Sequence, residues 1–165
     1  MSVKEESDLV ALEQSFSAEG WGNGSLHPMV VRNIDTYWKR GPVDESDEDF
    51  YVGFGFHETD WVALFFDVLK CPKREMLDGE DIMAYEKRER ERFQQCTAEF
   101  PMLGRMFTMF RDANYYPGEV GQLREQCLKL QSETSHEAGR RALAKLILAC
   151  GKALESEMGL ILVSD

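Results

Sequence analysis

The sequence lacks several features that would assign a protein of this size to a known functional class. No apolar run approaches the roughly 20 residues that a membrane-spanning helix requires. The first ten residues, MSVKEESDLV, lack the basic-then-apolar order of a secretory signal, which predicts a cytoplasmic location. Neither G-x-x-x-x-G-K-[ST] nor G-x-G-x-x-G occurs, so no nucleotide-binding loop is predicted.

Positive charge is scarce where negative charge is concentrated. The chain of 165 residues has a formal net charge of −11, and residues 41–60 contain seven acids but no Lys or Arg. Nucleic acids require a basic surface to neutralise phosphates, and anionic membrane surfaces attract basic segments. Neither class of partner is therefore expected, whereas a basic protein surface would be attracted.

The four cysteines form no recognisable metal-binding or redox motif. Cys71, Cys96, Cys127 and Cys150 lie 25, 31 and 23 residues apart, so no C-x-x-C pair is present. Zinc ribbons and thioredoxin-like sites depend on that pair. Cys127 and Cys150 fall on apolar helical stripes, where reduced cysteine behaves as a small hydrophobic residue. The expectation is four structural thiols, without a reactive or metal-ligating role.

The run DESDED at residues 44–49 does not have the pattern of an EF-hand calcium loop. Such a loop needs glycine at its sixth position and a bidentate Glu at its twelfth. With Asp44 first, these positions hold Asp49 and Gly55. The run therefore predicts a solvated acidic loop.

The three histidines, His27, His57 and His136, give no metal motif either. No H-E-x-x-H occurs, and the histidines are scattered along the chain. The sequence HETD at 57–60 fits a strand end followed by a helix cap and a first-turn acid. No metal and no cofactor are predicted.

The positive signals predict a single α+β domain over residues 1–165. Residues 1–20 are expected to form a loose acidic arm or a short helix. In FYVGFGF, Phe50 and alternate residues beyond it are apolar, which predicts a half-buried strand over 50–56. The segment 28–38 reads as a strand or a short helix.

The stretch 61–69 leaves helix and strand open. As a helix it would be capped by Thr59 or Asp60 and would place Trp61, Leu64 and Phe65 on one face. The region 80–100 is predicted to be helical. Its centre carries charge pairs at i,i+4, Glu86–Arg90 and Lys87–Glu91, which is typical of a solvated face.

The C-terminal half is helix-rich and has the clearest pattern. A helix is predicted from Pro117, with Val120, Leu123, Cys127 and Leu130 forming its apolar stripe. A second is predicted after a Thr134 or Ser135 cap, with Leu143, Leu146, Ile147, Cys150 and Leu154 on its stripe, and Gly159 as its stop. The closing run predicts a buried strand over 159–163. This strand and 50–56 would belong to one small sheet packed against several helices.

These features favour an acidic protein-binding module that masks a basic partner surface. In size and charge alone, the chain resembles inhibitors such as the immunity proteins that neutralise bacterial toxins. Carboxylates would steer association, and aromatic side chains would supply anchoring contacts. The predicted partner-binding residues are Asp44, Glu45, Asp47, Glu48, Asp49, Tyr51, Glu58, Asp60 and Trp61.

The alternative is a metal-assisted or phosphodiester hydrolase centred on His57, Glu58 and Asp60. It requires at least two of these side chains to meet His27 or His136 in a pocket. His57 and Thr59 form one H-x-T triplet, but the two-histidine phosphoesterases need two such triplets, and neither His27 nor His136 supplies the second.

Overall fold

The structure, a computed structural model, describes residues 2–19, 25–40, 49–108 and 111–164. The α-helices of this part are α1 Val3–Ala18, α2 Ile34–Arg40, α3 Glu58–Val62, α4 Ile82–Cys96, α5 Pro117–Glu133 and α6 Glu137–Glu155. The strands are β1 Leu26–Val31, β2 Phe50–Tyr51, β3 Ala113–Tyr115 and β4 Gly159–Ser164. A π-helical turn spans Ala63–Val68, and a 3₁₀ turn spans Leu103–Met106. The predicted α+β class is confirmed.

The strands form one antiparallel sheet in the order β2-β1-β4-β3. The two central strands pair along their full length, from Leu26 opposite Ser164 to Val31 opposite Gly159. The predicted C-terminal strand is therefore confirmed, and it lies at the centre of the sheet. The segment 28–38 contains both predicted alternatives in succession, since β1 is followed by α2.

The inner face of the sheet carries the main core. Leu26 and Val30 of β1 and Leu160 and Leu162 of β4 are fully buried and belong to the same apolar cluster as the stripes of α5 and α6. The predicted stripes are confirmed except at Leu154, which is exposed. The N-cap of α6 is His136, whose Nδ1 accepts a hydrogen bond from the Gly139 backbone at 3.0 Å, rather than Thr134 or Ser135.

The predicted strand over 50–56 is only two residues long. Gly53 has φ +92°, which interrupts the extended backbone and which glycine adopts without a steric penalty. The alternation of side chains nevertheless persists, because Val52, Phe54 and Phe56 are buried. Phe56 pairs again with Leu26 through two backbone hydrogen bonds of 2.8 Å.

The helical reading of 61–69 is correct, but its start differs from the prediction. The N-cap is His57, and Asp60 lies in the first turn. The His57 backbone N–H donates to Asp60 Oδ2 at 2.9 Å, which satisfies a donor ahead of the helix. The helix continues as the π-helical turn, with Leu69 N–H donating to the Leu64 carbonyl.

The N-terminal segment is a helix of 16 residues rather than a loose arm or a short helix. Its anchor is Phe16, which is fully buried and lies 5.6 Å from the Phe54 ring, centroid to centroid. Lys152 on α6 holds Glu13 at 2.6 Å. An aromatic anchor and an ion pair therefore attach α1 to the core.

The cysteine prediction is wrong for one pair. Cys71 and Cys96 form a disulfide with their Cα atoms 5.5 Å apart, which lies within the range that a disulfide allows. Cys127 and Cys150 are free and fully buried, as predicted. Burial raises the pKa of the Cys127 thiol well above its usual value and that of Cys150 to about 12, so both stay protonated.

Candidate partner-binding face

The outer face of the sheet is only partly covered. Tyr51, Met29, Ile161 and Asn114 occupy one row across all four strands. Directly paired residues project from the same side, so these side chains share the outer face. A small apolar cluster of Met29, Val31, Ile161 and Ile34 holds the short helix α2 on this side.

Close contact between α2 and the sheet depends on Gly159. A Cβ atom there would lie 2.9 Å from Ile34 Cδ1 and 3.0 Å from the Tyr115 carbonyl oxygen. Both distances are too short for an ordinary contact. Gly159 was predicted to stop the second C-terminal helix, but that helix ends at Glu155, and the glycine instead begins β4. Its missing side chain lets α2 approach.

Two aromatic residues of α2 extend the face. Tyr37 and Trp38 contact edge to face, with centroids 5.0 Å apart. Trp38 is 44% exposed, and its Nε1–H donates to Asn114 Oδ1 on β3 at 3.0 Å. Burial raises the pKa of Tyr37, and the charges of Tyr51, Asp112 and Asp49 raise it further. The two aspartates therefore disfavour ionisation of the Tyr37 hydroxyl, which keeps it a hydrogen-bond donor.

A third aromatic residue, Tyr116, lies just ahead of α5 and is 46% exposed. Its hydroxyl donates to Asp35 Oδ1 at 2.7 Å, and this hydrogen bond raises the pKa of Tyr116. Tyr51 on the edge strand β2 is 50% exposed. Aromatic rings with a polar tip at the surface are typical of protein interfaces, because they bury large apolar area at low entropic cost.

Three aspartates accompany these rings. Asp49 accepts the Arg32 backbone N–H at 2.8 Å, and Asp112 accepts the Ser164 backbone N–H at 2.7 Å. Asp35 is in the first turn of α2, which also carries Lys39 on its exposed side. We call this surface the aromatic-acidic face, and its members are Asp35, Tyr37, Trp38, Asp49, Tyr51, Asp112 and Tyr116.

Two of the nine predicted partner-binding residues, Asp49 and Tyr51, belong to this face. Four others, Asp44, Glu45, Asp47 and Glu48, lie outside the described residues and immediately precede Asp49 in the chain. The sequence did not predict the other five members of the face, which are Asp35, Tyr37, Trp38, Asp112 and Tyr116. The available signal was α2 itself, a short helix whose aromatic residues lie beside its polar ones.

The remaining three predicted residues lie elsewhere. Glu58 is exposed in the first turn of α3. Trp61 is buried, and its Nε1–H donates to the Met106 carbonyl at 2.7 Å. Trp61 therefore stabilises the core and is not exposed for an anchoring contact. Asp60 is also buried, and it is the counter-ion of a buried lysine.

That lysine is Lys145 on α6, whose side chain is 1% exposed. Its ammonium group donates to Asp60 Oδ2 at 2.6 Å, to Glu19 Oε2 at 2.8 Å and to the Gly55 carbonyl at 3.0 Å. Burial opposes the charge of Glu19, but hydrogen bonds and attraction from Lys145 and Arg141 outweigh it and lower the pKa of Glu19. All three ammonium donors are satisfied, which is the signature of a structural site.

His57 and His136 make contacts in different parts of the fold. His57 Nδ1 is 2.9 Å from Ser25 Oγ, and its Nε2 is 3.8 Å from Glu19 Oε2. His136 caps α6 and lies 3.8 Å from Asp67. Across residues 2–19, 25–40, 49–108 and 111–164, no group of three His, Cys, Asp or Glu side chains could hold a metal ion. The hydrolase alternative therefore has no metal-ligand set in this part of the chain.

Comparison with known proteins yields no relative. No protein-family model matches the chain, and neither a curated protein nor a solved structure gives a significant match. Among the described helices, none is long and apolar enough to cross a membrane.

Proposed function

We propose that this protein acts by binding a basic surface of another protein through its aromatic-acidic face, as an inhibitor or immunity-type protein does. The observation that carries the proposal is the interleaving of exposed rings with carboxylates at one sheet face. Trp38, Tyr51 and Tyr116 are each close to half exposed, and Asp35, Asp49 and Asp112 lie among them. The acidic run 44–48 is continuous in sequence with this face.

The two kinds of residue contribute differently to binding. Clustered carboxylates attract a basic partner over a range of about 10 Å at 0.1 M salt, and this attraction increases the association rate. Aromatic anchors lose water on contact and chiefly lower the dissociation rate. Trp38 and Tyr116 are already oriented by hydrogen bonds to Asn114 and Asp35, so little side-chain entropy is lost on binding.

Affinity capture from the native host, followed by stopped-flow measurement of association with the captured partner, tests this proposal. We expect the association rate to fall steeply as ionic strength rises. Neutralising the acidic run, with Asp44→Asn, Glu45→Gln, Asp47→Asn and Glu48→Gln, should lower the rate about tenfold or more at low salt.

A matched control removes the same number of charges from the opposite side of the sheet. Glu125, Glu133, Glu155 and Glu157 are exposed on or just after α5 and α6, and all four can be replaced by Gln. This variant should keep an association rate close to that of the wild type. An equal loss in both variants, or a rate indifferent to salt, would contradict the proposal.

The cytoplasmic location predicted from the sequence stays a prediction. The Cys71–Cys96 disulfide argues against it, because disulfides persist mainly in oxidising compartments. The test is to recover the protein from its host under thiol-blocking conditions and to measure whether this pair is oxidised. An oxidised pair would favour an oxidising compartment, and a reduced pair would favour the cytoplasm.

A further inference from the structure

Asp35 and Trp38 are neighbours on α2, within the aromatic-acidic face. Residues three apart on a helix lie on the same side of it, with their Cβ atoms about 5–6 Å from each other. The Asp35 side chain is exposed, and Trp38 is 44% exposed. A carboxylate and an indole ring are therefore open to solvent side by side.

Two hydrogen bonds fix this pair of side chains to the end of β3. Trp38 Nε1–H donates to Asn114 Oδ1 at 3.0 Å, and the Tyr116 hydroxyl donates to Asp35 Oδ1 at 2.7 Å. Asn114 and Tyr116 are two positions apart in the sequence, so both bonds join α2 to the same short stretch of chain. The ring and the carboxylate are thereby oriented before any partner binds, which lowers the entropic cost of binding.

The Asp35 carboxylate keeps most of its capacity to accept hydrogen bonds. An ionised carboxylate offers about four lone-pair sites, and the Tyr116 hydroxyl uses one of them. Among the described residues, no cation forms an ion pair with Asp35, not even Lys39 one turn further along α2. The charge of Asp35 is therefore available to a cation from outside the described chain.

A carboxylate beside an exposed ring favours a guanidinium over an ammonium group. The guanidinium of arginine is planar, stacks on aromatic rings and presents its N–H donors in a fork that matches a carboxylate. The ammonium of lysine is a compact and more strongly hydrated point charge. Either cation is attracted by Asp35, but only a guanidinium contacts a ring with its face and a carboxylate with its edge at the same time.

We propose that Asp35, Trp38 and Tyr116 form the binding site for one arginine side chain of the basic partner. The guanidinium lies on the Trp38 ring and donates to Asp35, while the Tyr116 hydroxyl holds the carboxylate in place. This inference rests on the proposed function, because it names the residue type by which the partner is recognised at the same face. It adds a selectivity that long-range attraction does not give, since clustered carboxylates attract arginine and lysine alike.

Titration with three capped pentapeptides tests the site, each peptide carrying arginine, lysine or trimethyllysine at the centre of four glycines. The Trp38 indole N–H signal in an NMR spectrum reports on binding, and its loss in Trp38→Phe identifies it among the signals of the three tryptophans. We expect the arginine peptide to bind about fivefold more tightly than the lysine peptide, which is the effect of one exposed cation–π contact. Trimethyllysine cannot donate to a carboxylate and should also bind more weakly than arginine.

The variant Asp35→Asn keeps an acceptor for the Tyr116 hydroxyl but loses the charge, and it should bind the arginine peptide about fivefold or more weakly. Asp8→Asn is the matched control, because Asp8 is an exposed aspartate on α1, outside the aromatic-acidic face. It should bind the arginine peptide as the wild type does.

The proposal is overturned if the arginine peptide produces no saturable shift, if the wild type binds arginine and lysine equally or trimethyllysine most tightly, or if both variants weaken arginine binding equally. The comparisons of peptides on the wild type need no variant to fold. Equal binding of arginine and lysine would leave the proposed function standing, because that function is contradicted by an association rate indifferent to salt.

Discussion

Lys145 is a buried cation and Arg74 is a partly buried one, and the two differ in how their hydrogen-bond donors are satisfied. Lys145 has an acceptor for each of its three ammonium donors, from Glu19, Gly55 and Asp60. Arg74 lies against two aromatic rings and has a buried Nη2 with no partner in the described chain. The desolvation penalty is larger for Lys145, which is 1% exposed, and its three acceptors offset that penalty, whereas Arg74 is only partly buried. A charge with all its donors satisfied holds the fold together, whereas a buried donor without an acceptor contributes no hydrogen bond to stability.

The largest expected loss of stability follows from a substitution at Lys145, whose donors are all satisfied. Lys145→Met leaves Asp60 buried without its counter-ion and should lower the free energy of unfolding by about 3–5 kcal/mol. Urea unfolding followed by circular dichroism measures this as a shift in the midpoint. Asp60→Asn and the double variant complete a thermodynamic cycle. If the losses of stability in the two single variants add up to the loss in the double variant, Lys145 and Asp60 are not coupled. The contrast with Arg74 would then fail.

Breaking the Cys71–Cys96 disulfide should have the next largest effect. This bond ties the segment that carries Arg74 to the end of α4, and the two cysteines are 25 positions apart in the sequence. Loop-closure entropy predicts a loss of about 3 kcal/mol on reduction. Chemical unfolding with and without reductant measures it. A Cys71→Ala, Cys96→Ala variant is the control, since reductant should not alter its stability; a change there would implicate another cause.

Acid should weaken the Lys145 site through Glu19. Because the pKa of Glu19 is lowered below its usual 4.5 in the folded protein, its contribution is complete above that value and is lost as pH falls through the folded pKa. Glu19→Gln should therefore flatten the pH dependence of stability in the acidic range. Unfolding midpoints of both proteins from neutral pH to about pH 3 give the comparison. Parallel curves would show that Glu19 is not stabilised by Lys145.

The smallest loss of stability is expected from a substitution at Arg74, which has an unsatisfied donor. Arg74→Met removes cation–π contacts with Trp61 and Phe107 but leaves no hydrogen-bond acceptor of the described residues without its donor, so stability should change by less than about 1 kcal/mol. The same urea experiment that measures Lys145→Met provides the direct contrast. A loss as large as that of Lys145→Met would mean that Arg74 stabilises the fold as strongly as the fully paired lysine does, and the contrast between the two cations would fail.

Several features were predictable because they depend on local pattern. Apolar residues at helical spacing identified α5 and α6, and the closing apolar run identified β4. The interruption of the strand at Gly53 was less predictable, since glycine in a strand is compatible with either outcome.

The burial of Lys145 could have been predicted from its spacing along α6. It lies three residues after Ala142 and four before Ala149, which places it on the buried stripe of α6. A lysine at that spacing predicts an acidic partner in the interior. Glu89, four residues before the buried Phe93, gives the same kind of signal on α4. Neither position, however, indicates which residue supplies the opposite charge.

The amino-acid sequence by itself determined the type and approximate position of most elements, together with the concentration of acids between residues 41 and 60. Periodicity and charge are properties of neighbouring residues, so they can be read along the chain. The tertiary structure decided which polar groups are satisfied inside. Lys145 pairs with Glu19 across 126 residues and with Asp60 across 85. Such pairs depend on the packing of distant elements, and so do the burial of Trp61 and the exposure of Trp38.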